Sequence, residues 1–241
     1  GCDLIEMERQ NMIIPVVDMK DSMCVSGKSG MRDTYTELRS IYGRGCDIID
    51  LASNLRDDGA KLMYIADLDK IEGVGDNSSL ISKVNDIIPV MLDNGISTPD
   101  DIEENSKICT YNIVATETLS SISDAYAIFE KYDNEKLIFS VDIKDNEVLL
   151  KDKSIKVSEL IELINDVKPK YVILLNITQV GQKQQKQCDV VDEIISKTPT
   201  VEHIMAGGIT NQAIAEYKKV GIDNFLIGTI LHEGKLEYEM W

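Results

Sequence analysis

Two aspartates, Asp18 and Asp142, each close a short segment rich in Ile, Val and Met or Leu, at related places in the two halves of a 241-residue chain. An acid at the end of a buried strand costs on the order of several kcal/mol unless it is hydrogen-bonded, neutralised or put to use. Two carboxyls in different environments can divide into a proton acceptor and a proton donor. The expected chemistry is acid–base catalysis, with no metal and no redox cofactor required. The chain has only two histidines and no dinucleotide fingerprint, since Gly73-Val74-Gly75 is followed by Ser78 where a third glycine belongs.

A second set of residues points to an anion. Gly207-Gly208 precedes a helical stretch that begins near Asn211, and Gly228-Thr229 follows the last apolar run. Glycine lets backbone N–H groups approach a phosphate closely, and a helix start adds a favourable dipole. A weaker second anion site falls at Gly95 and Thr116. There Asp93 and Asn94 stand where small residues are expected, and Ala115 replaces glycine. Asp93 is expected to repel a phosphate at that end. Asp67, Asp93 and Lys28 are further candidate substrate contacts, although Asp69, Asp93 and Glu117 read more simply as caps or ion-pair partners. Thr178, in Asn176-Ile177-Thr178-Gln179, either hydrogen-bonds an intermediate or caps its own turn. His203 sits within an apolar strand and reads as a satisfied structural histidine.

These residues need elements that hold them at one face. Eight apolar runs, at residues 12–18, 62–67, 87–93, 110–115, 137–142, 171–176, 201–206 and 224–228, alternate with amphipathic stretches. Near-continuous Ile, Val, Leu and Met mark strands buried on both faces. Helices are expected at 98–106, opening on Thr-Pro-Asp-Asp, and at 122–131, 157–167, 190–196 and 212–220. Strict alternation favours an α/β fold of the closed (β/α)8 barrel (TIM barrel) type over a doubly wound open sheet.

An internal repeat strengthens that choice. Val17-Asp18-Met19-Lys20-Asp21 is echoed by Val141-Asp142-Ile143-Lys144-Asp145, Asn94-Gly95-Ile96 by Gly207-Gly208-Ile209, and Val114-Ala115-Thr116 by Ile227-Gly228-Thr229. Each offset is near half the chain, so two four-strand halves close on each other. Their C-terminal strand ends then form the active face. Asp18 to Thr36 reads as a long, lid-like loop containing Ser26-Gly27-Lys28-Ser29-Gly30, and Lys144 to Lys156 as a small hairpin turning near Asp145-Asn146. Too few residues follow Thr229 for a long eighth helix. Residues 1–11 are expected to form an N-terminal extension, and 12–241 a single barrel domain.

Composition bounds the partners. The formal net charge is −17, which disfavours nucleic acid and anionic membranes, so local backbone groups must hold any anionic ligand. Five scattered cysteines read as free thiols. No apolar run approaches the roughly 20 residues of a membrane span. The first eleven residues have neither a basic nor an apolar signal region, so a cytoplasmic location is expected.

The set Ile14-Pro15-Val16-Val17-Asp18, Ala66-Asp67-Leu68-Asp69, Ser140-Val141-Asp142, Ala206-Gly207-Gly208-Ile209 and Ile227-Gly228-Thr229, in this order and spacing, resembles the histidine-biosynthesis barrels. That family comprises the ProFAR isomerase (HisA) and the cyclase subunit of imidazole glycerol phosphate synthase (HisF). The resemblance implies two opposed catalytic aspartates, with Asp142 as acid and Asp18 as base. It implies phosphate binding by Gly207, Gly208, Gly228 and Thr229, and an assisting role for Thr178. Ser26 stands where a basic residue is usual, the Asp-Gly-Thr after strand six is absent, and Leu92-Asp93-Asn94-Gly95-Ile96-Ser97 replaces a triple-glycine turn. These departures look like the divergent archaeal-type HisA-related group.

The implied activity is an Amadori-type aldose–ketose isomerisation, or a lyase reaction, on a small phosphorylated sugar or aminosugar. The alternatives are a step in tetrahydromethanopterin-type C1-carrier biosynthesis with an amine-bearing substrate, a non-catalytic phosphometabolite-binding barrel, and the ProFAR isomerase reaction itself.

Overall fold

The computed structural model describes residues 11–26, 35–43, 45, 47–177, 189–237 and 241. Its strands are β1 (Met12–Lys20), β2 (Met23–Ser26), β3 (Thr36–Glu37), β4 (Met63–Asp67), β5 (Val90–Asp93), β6 (Tyr111–Ala115), β7 (Leu137–Lys144), β8 (Glu147–Leu149), β9 (Ser154–Ile155), β10 (Tyr171–Asn176), β11 (Glu202–Ala206) and β12 (Asn224–Ile227). Eight of these, β1, β4, β5, β6, β7, β10, β11 and β12, pair in parallel in that order, and β12 returns to β1. The sheet is a closed (β/α)8 barrel, as the alternation predicts.

The helices are α1 (Ile48–Asp58), α2 (Leu68–Glu72), α3 (Ser78–Ile87), α4 (Pro99–Asn105), α5 (Ile122–Lys131), α6 (Val157–Val167), α7 (Asp189–Lys197), α8 (Asn211–Lys219) and α9 (Thr229–His232). The third strand is shorter than its apolar run suggests, because α3 continues to Ile87 and Pro89 separates it from Val90. α9 has four residues, matching the short remainder of chain after Thr229.

Alternation along each strand divides the core in two. Met12, Ile14, Met91, Ile113, Ile138 and Ile173 fill the barrel interior. A larger cluster, including Val17, Ile65, Leu92, Val114, Phe139 and Leu174, packs between strands and helices. This parity decides which strand-end residues reach the mouth.

The repeat extends beyond the barrel strands. The first connection opens as a hairpin, and the expected lid-like stretch at 27–34 lies outside the described residues. β1 continues past Asp18 to Lys20, turns through Asp21 and Ser22, and returns as β2. The same device follows β7, which turns through Asp145 and Asn146 into β8. Both turns use two successive residues of positive φ, 50° and 64° in the first, 50° and 65° in the second. These are the values that a tight two-residue hairpin demands.

Each hairpin is tied to the segment after the next barrel strand. Asp21 N–H donates to Asp69 (2.8 Å) and Ser22 N–H to Asn77 Oδ1 (2.8 Å). In the second half, Val190 N–H at the start of α7 donates to Asn146 Oδ1 (3.0 Å).

Candidate acidic mouth and anion cleft

The register sets the level of the acidic residues. Ala66 on β4 aligns with Asp18 on one side and Asp93 on the other. Leu175 on β10 aligns with Asp142 on one side and Ala206 on the other. The inward-facing layer nearest the C-terminal rim thus takes three aspartates from alternate barrel strands. Ala206 fills the fourth place and leads into Gly207-Gly208. Layers of four from alternate strands are the usual filling of this fold, and apolar side chains usually supply them. Three carboxyls in one layer are expensive, so their protonation is coupled.

Asp93 is the centre of that coupling. Tyr64 Oη donates to its Oδ2 at 2.8 Å, and the Gly95 backbone N–H also donates to its carboxyl. Burial still outweighs these bonds and, with the charge of Glu117, pushes Asp93 up to about 6. Asp18 is raised to about 6 by burial first and by the Asp93 charge second. Asp142, 2% exposed, is raised well above the usual carboxylate range by burial, then by Glu117 and Asp93. Its Oδ2 accepts from Thr116 Oγ1 (3.3 Å) and Glu117 N–H (3.2 Å), which partly offset the burial. Burial is thus the first cause of the rise at both Asp18 and Asp142, while their other partners differ, and a difference of environment of this kind can divide two carboxyls into a proton donor and a proton acceptor.

Beside Asp18 opens a cleft of about 700 Å³, whose lining includes Val25, Thr36, Arg39, Gly228, Thr229 and His232. Gly207 and Gly208 have φ of 98° and 59°, and a side chain at Gly207 would meet Asn176 O at 3.0 Å. Only glycine turns the chain there without strain. Thr210 caps α8, its Oγ1 accepting from Ala213 N–H at 3.2 Å. His232 is locked between Val16 O and Ser40 Oγ, both at 2.8 Å, so it acts as a brace for the cleft wall. Arg39, which no motif marks in the sequence, brings a positive charge to a cleft that Asp18, Glu37 and Glu233 also line.

Several sequence-predicted residues stand elsewhere. Asp67 is not a substrate contact: it is fully buried on the outward face of β4. Its carboxylate caps α2 through Lys70 N–H (3.2 Å) and binds Asn77 N–H (2.8 Å) and Nδ2 (2.7 Å). Thr116 is fully buried, and its hydroxyl serves Asp142 rather than an open anion site. Asn94 pairs amide to amide with Asn105, both bonds at 2.8 Å, and so fixes β5 to α4. His203 is satisfied by Thr198 Oγ1 at 2.8 Å, as expected of a structural histidine. Lys28 and Thr178 lie outside the described residues, as do Cys2, Cys46 and Cys188; Cys24 and Cys109 are buried and form no disulfide.

The fold and its mouth define a half-repeat (β/α)8 barrel with acidic residues on opposed strands and a glycine-rich rim. Residues 12–237 match the family described as histidine biosynthesis protein, and the chain belongs to that family. It is 33% identical over 231 residues to an uncharacterised protein of Methanocaldococcus jannaschii, covering 94% of this chain and 96% of that one. The phosphoribosyl imidazole-4-carboxamide isomerase (ProFAR isomerase) of the same organism is 28% identical over 236 residues, covering 94% and 95%. Its counterpart in Saccharolobus solfataricus is 25% identical over 237 residues, covering 94% and 97%. Among the described residues no helix is long and apolar enough to cross a membrane, and no cluster of His, Cys, Asp and Glu is arranged to hold a metal.

Proposed function

We propose that the barrel isomerises a small phosphorylated aldose or aminoaldose to the ketose by two-aspartate acid–base catalysis. The observation that carries this reading is that Asp18 and Asp142, both raised above the usual carboxylate range first by burial, stand on facing halves of one mouth with different hydrogen-bond partners. In the proposed sequence, the Asp142 carboxylic acid protonates the ring oxygen and opens the sugar. Asp18 removes the C2 proton and returns a proton to C1 of the resulting enol or enolamine, while the C2 hydroxyl gives its proton back to Asp142 and becomes the ketose carbonyl. Gly207, Gly208, Gly228 and Thr229 hold the phosphate through backbone N–H groups, and Arg39, which lines the cleft together with Gly228 and Thr229, supplies positive charge. The reading supports a metabolic enzyme with a small-molecule partner and a cytoplasmic site of action.

The ProFAR isomerase reaction itself is a weaker reading. The chain shares more identity with the uncharacterised protein of M. jannaschii than with that organism's own isomerase, 33% against 28%. Metabolite profiles of a deletion strain should show a phosphorylated aldose or aminoaldose accumulating, and purified protein should convert it. Asp18→Asn and Asp142→Asn keep the side-chain shape but remove proton transfer, and each is expected to slow turnover by roughly 10²–10⁴-fold. Wild-type rates in both variants would refute the mechanism, and histidine auxotrophy of the strain would restore the ProFAR reading.

A further inference from the structure

The donors at the strand three–four end of the mouth are already occupied by the chain's own carboxylates. By the half-repeat, Gly95 corresponds to the Gly207-Gly208 turn and Thr116 to Thr229, so this end is the twin of the phosphate-binding end. At Gly95 the backbone N–H is turned to Asp93, and the positive φ of 81° that would suit an anion loop serves this internal contact. At Thr116 the hydroxyl and the following N–H of Glu117 both go to Asp142 Oδ2, at 3.3 and 3.2 Å. No equivalent carboxylate is bound to Gly207, Gly208, Gly228 or Thr229 among the described residues. A phosphate at the strand three–four end must displace both of these internal contacts and then face the charge of Asp93.

We infer that this barrel accepts a monophosphorylated ligand, its single phosphate at the strand seven–eight end and a non-anionic group at the other, with Asp93 excluding a second phosphate. This deepens the proposed function and rests on its phosphate assignment. It also separates this chain from its named relatives, whose substrate carries two phosphoribosyl groups by name.

The test is calorimetric binding of fructose 6-phosphate and fructose 1,6-bisphosphate to the whole chain, wild type and Asp93→Asn. It is paired with sulfate-soaked crystals of each. The wild type should bind fructose 6-phosphate at least tenfold more tightly than the bisphosphate and take one sulfate, beside Gly228 and Thr229. Asp93→Asn should favour the bisphosphate by tenfold or more and admit a second sulfate near Gly95. Two sulfates in the wild type, or a bisphosphate bound there as tightly as the monophosphate, overturn the inference while leaving phosphate binding intact. No sulfate and no sugar phosphate bound overturns the phosphate assignment as well. An Asp93→Asn variant that behaves as wild type removes Asp93 as the excluding group. The wild-type measurements decide the ligand class whether or not that variant folds.

Discussion

Replacing Asp93 by Asn should lower the pKa of Asp18, and the structure bounds the amount. Asp18 and Asp93 are separated by the single strand β4, with Ala66 aligned between them. Strands lie about 4.8 Å apart, so the two α-carbons are roughly 10 Å apart and the inward-pointing carboxylates roughly 7 Å. At an effective dielectric near 20, that separation gives a repulsion of about 2 kcal/mol, equivalent to under two pH units. Burial is the larger cause of the rise in Asp18 from 3.8 to about 6, so the Asp93 charge accounts for less than half of it. The expected fall is therefore about one pH unit at most, from about 6 towards 5.

The assay is a carboxyl ¹³C titration of wild type and variant, which needs no substrate. Because Asp18 and Asp93 both titrate near 6, the wild type should show two coupled steps rather than one residue's curve. The same substitution has a stability consequence of definite sign. Folded Asp93 keeps its proton up to about 6, whereas the unfolded residue releases it near 3.8. Its ionisation thus costs stability as pH rises through that window, and the full cost is present above it. Asp93→Asn should be more stable than wild type at pH 7.5, with an advantage of about 1–3 kcal/mol that disappears below pH 4. An unchanged Asp18 titration, or a variant less stable at both pH values, would refute the placement of Asp93 in a shared acidic layer.

Other substitutions test the supporting structure. Thr116→Val removes a hydroxyl donor to Asp142, so the Asp142 titration should move further upward while Asp18 is nearly unchanged; a downward shift in the same ¹³C spectra would contradict the bond. Gly207→Ala places a methyl 3.0 Å from Asn176 O at a φ of 98°, and should lower the urea-unfolding free energy by about 1–3 kcal/mol. Asn77→Ala removes the buried amide that links Asp67, Asp69 and Ser22. It should cost about 1–3 kcal/mol and speed hydrogen exchange at the Ser22 amide; slow exchange there in the variant would show that the hairpin needs no such tie.

Much of the barrel was legible because its strands are buried on both faces. A run such as Tyr171–Asn176 is apolar throughout and leaves little choice of element. The repeat named Asp18 and Asp142 as counterparts without any structure. The first hairpin escaped notice because Asp21-Ser22 is not a marked turn pair, whereas Asp145-Asn146 is, although both adopt the same conformation. Arg39 was missed for a different reason: it is exposed, belongs to no motif, and reaches the cleft only through the path of the chain after β3.

The central feature of the mouth turns on a difference of one residue that composition does not reveal. Asp67 and Asp93 each end an apolar strand and look alike in sequence. In β4 the inward places fall to Tyr64 and Ala66, so Asp67 points outward to cap α2; in β5 they fall to Met91 and Asp93. Because side chains alternate strictly, a shift of one residue exchanges core and mouth for every position in a strand. Ala66 aligns with Asp93, and it is this pairing that turns Asp93 towards Tyr64, Asp18 and Asp142. Had β4 been offset by one residue, Asp67 would have entered the layer and no carboxylate would have capped α2. The same alignment puts the charge of Asp93 beside Asp18 and Asp142, where it adds to the larger effect of burial on both carboxyls.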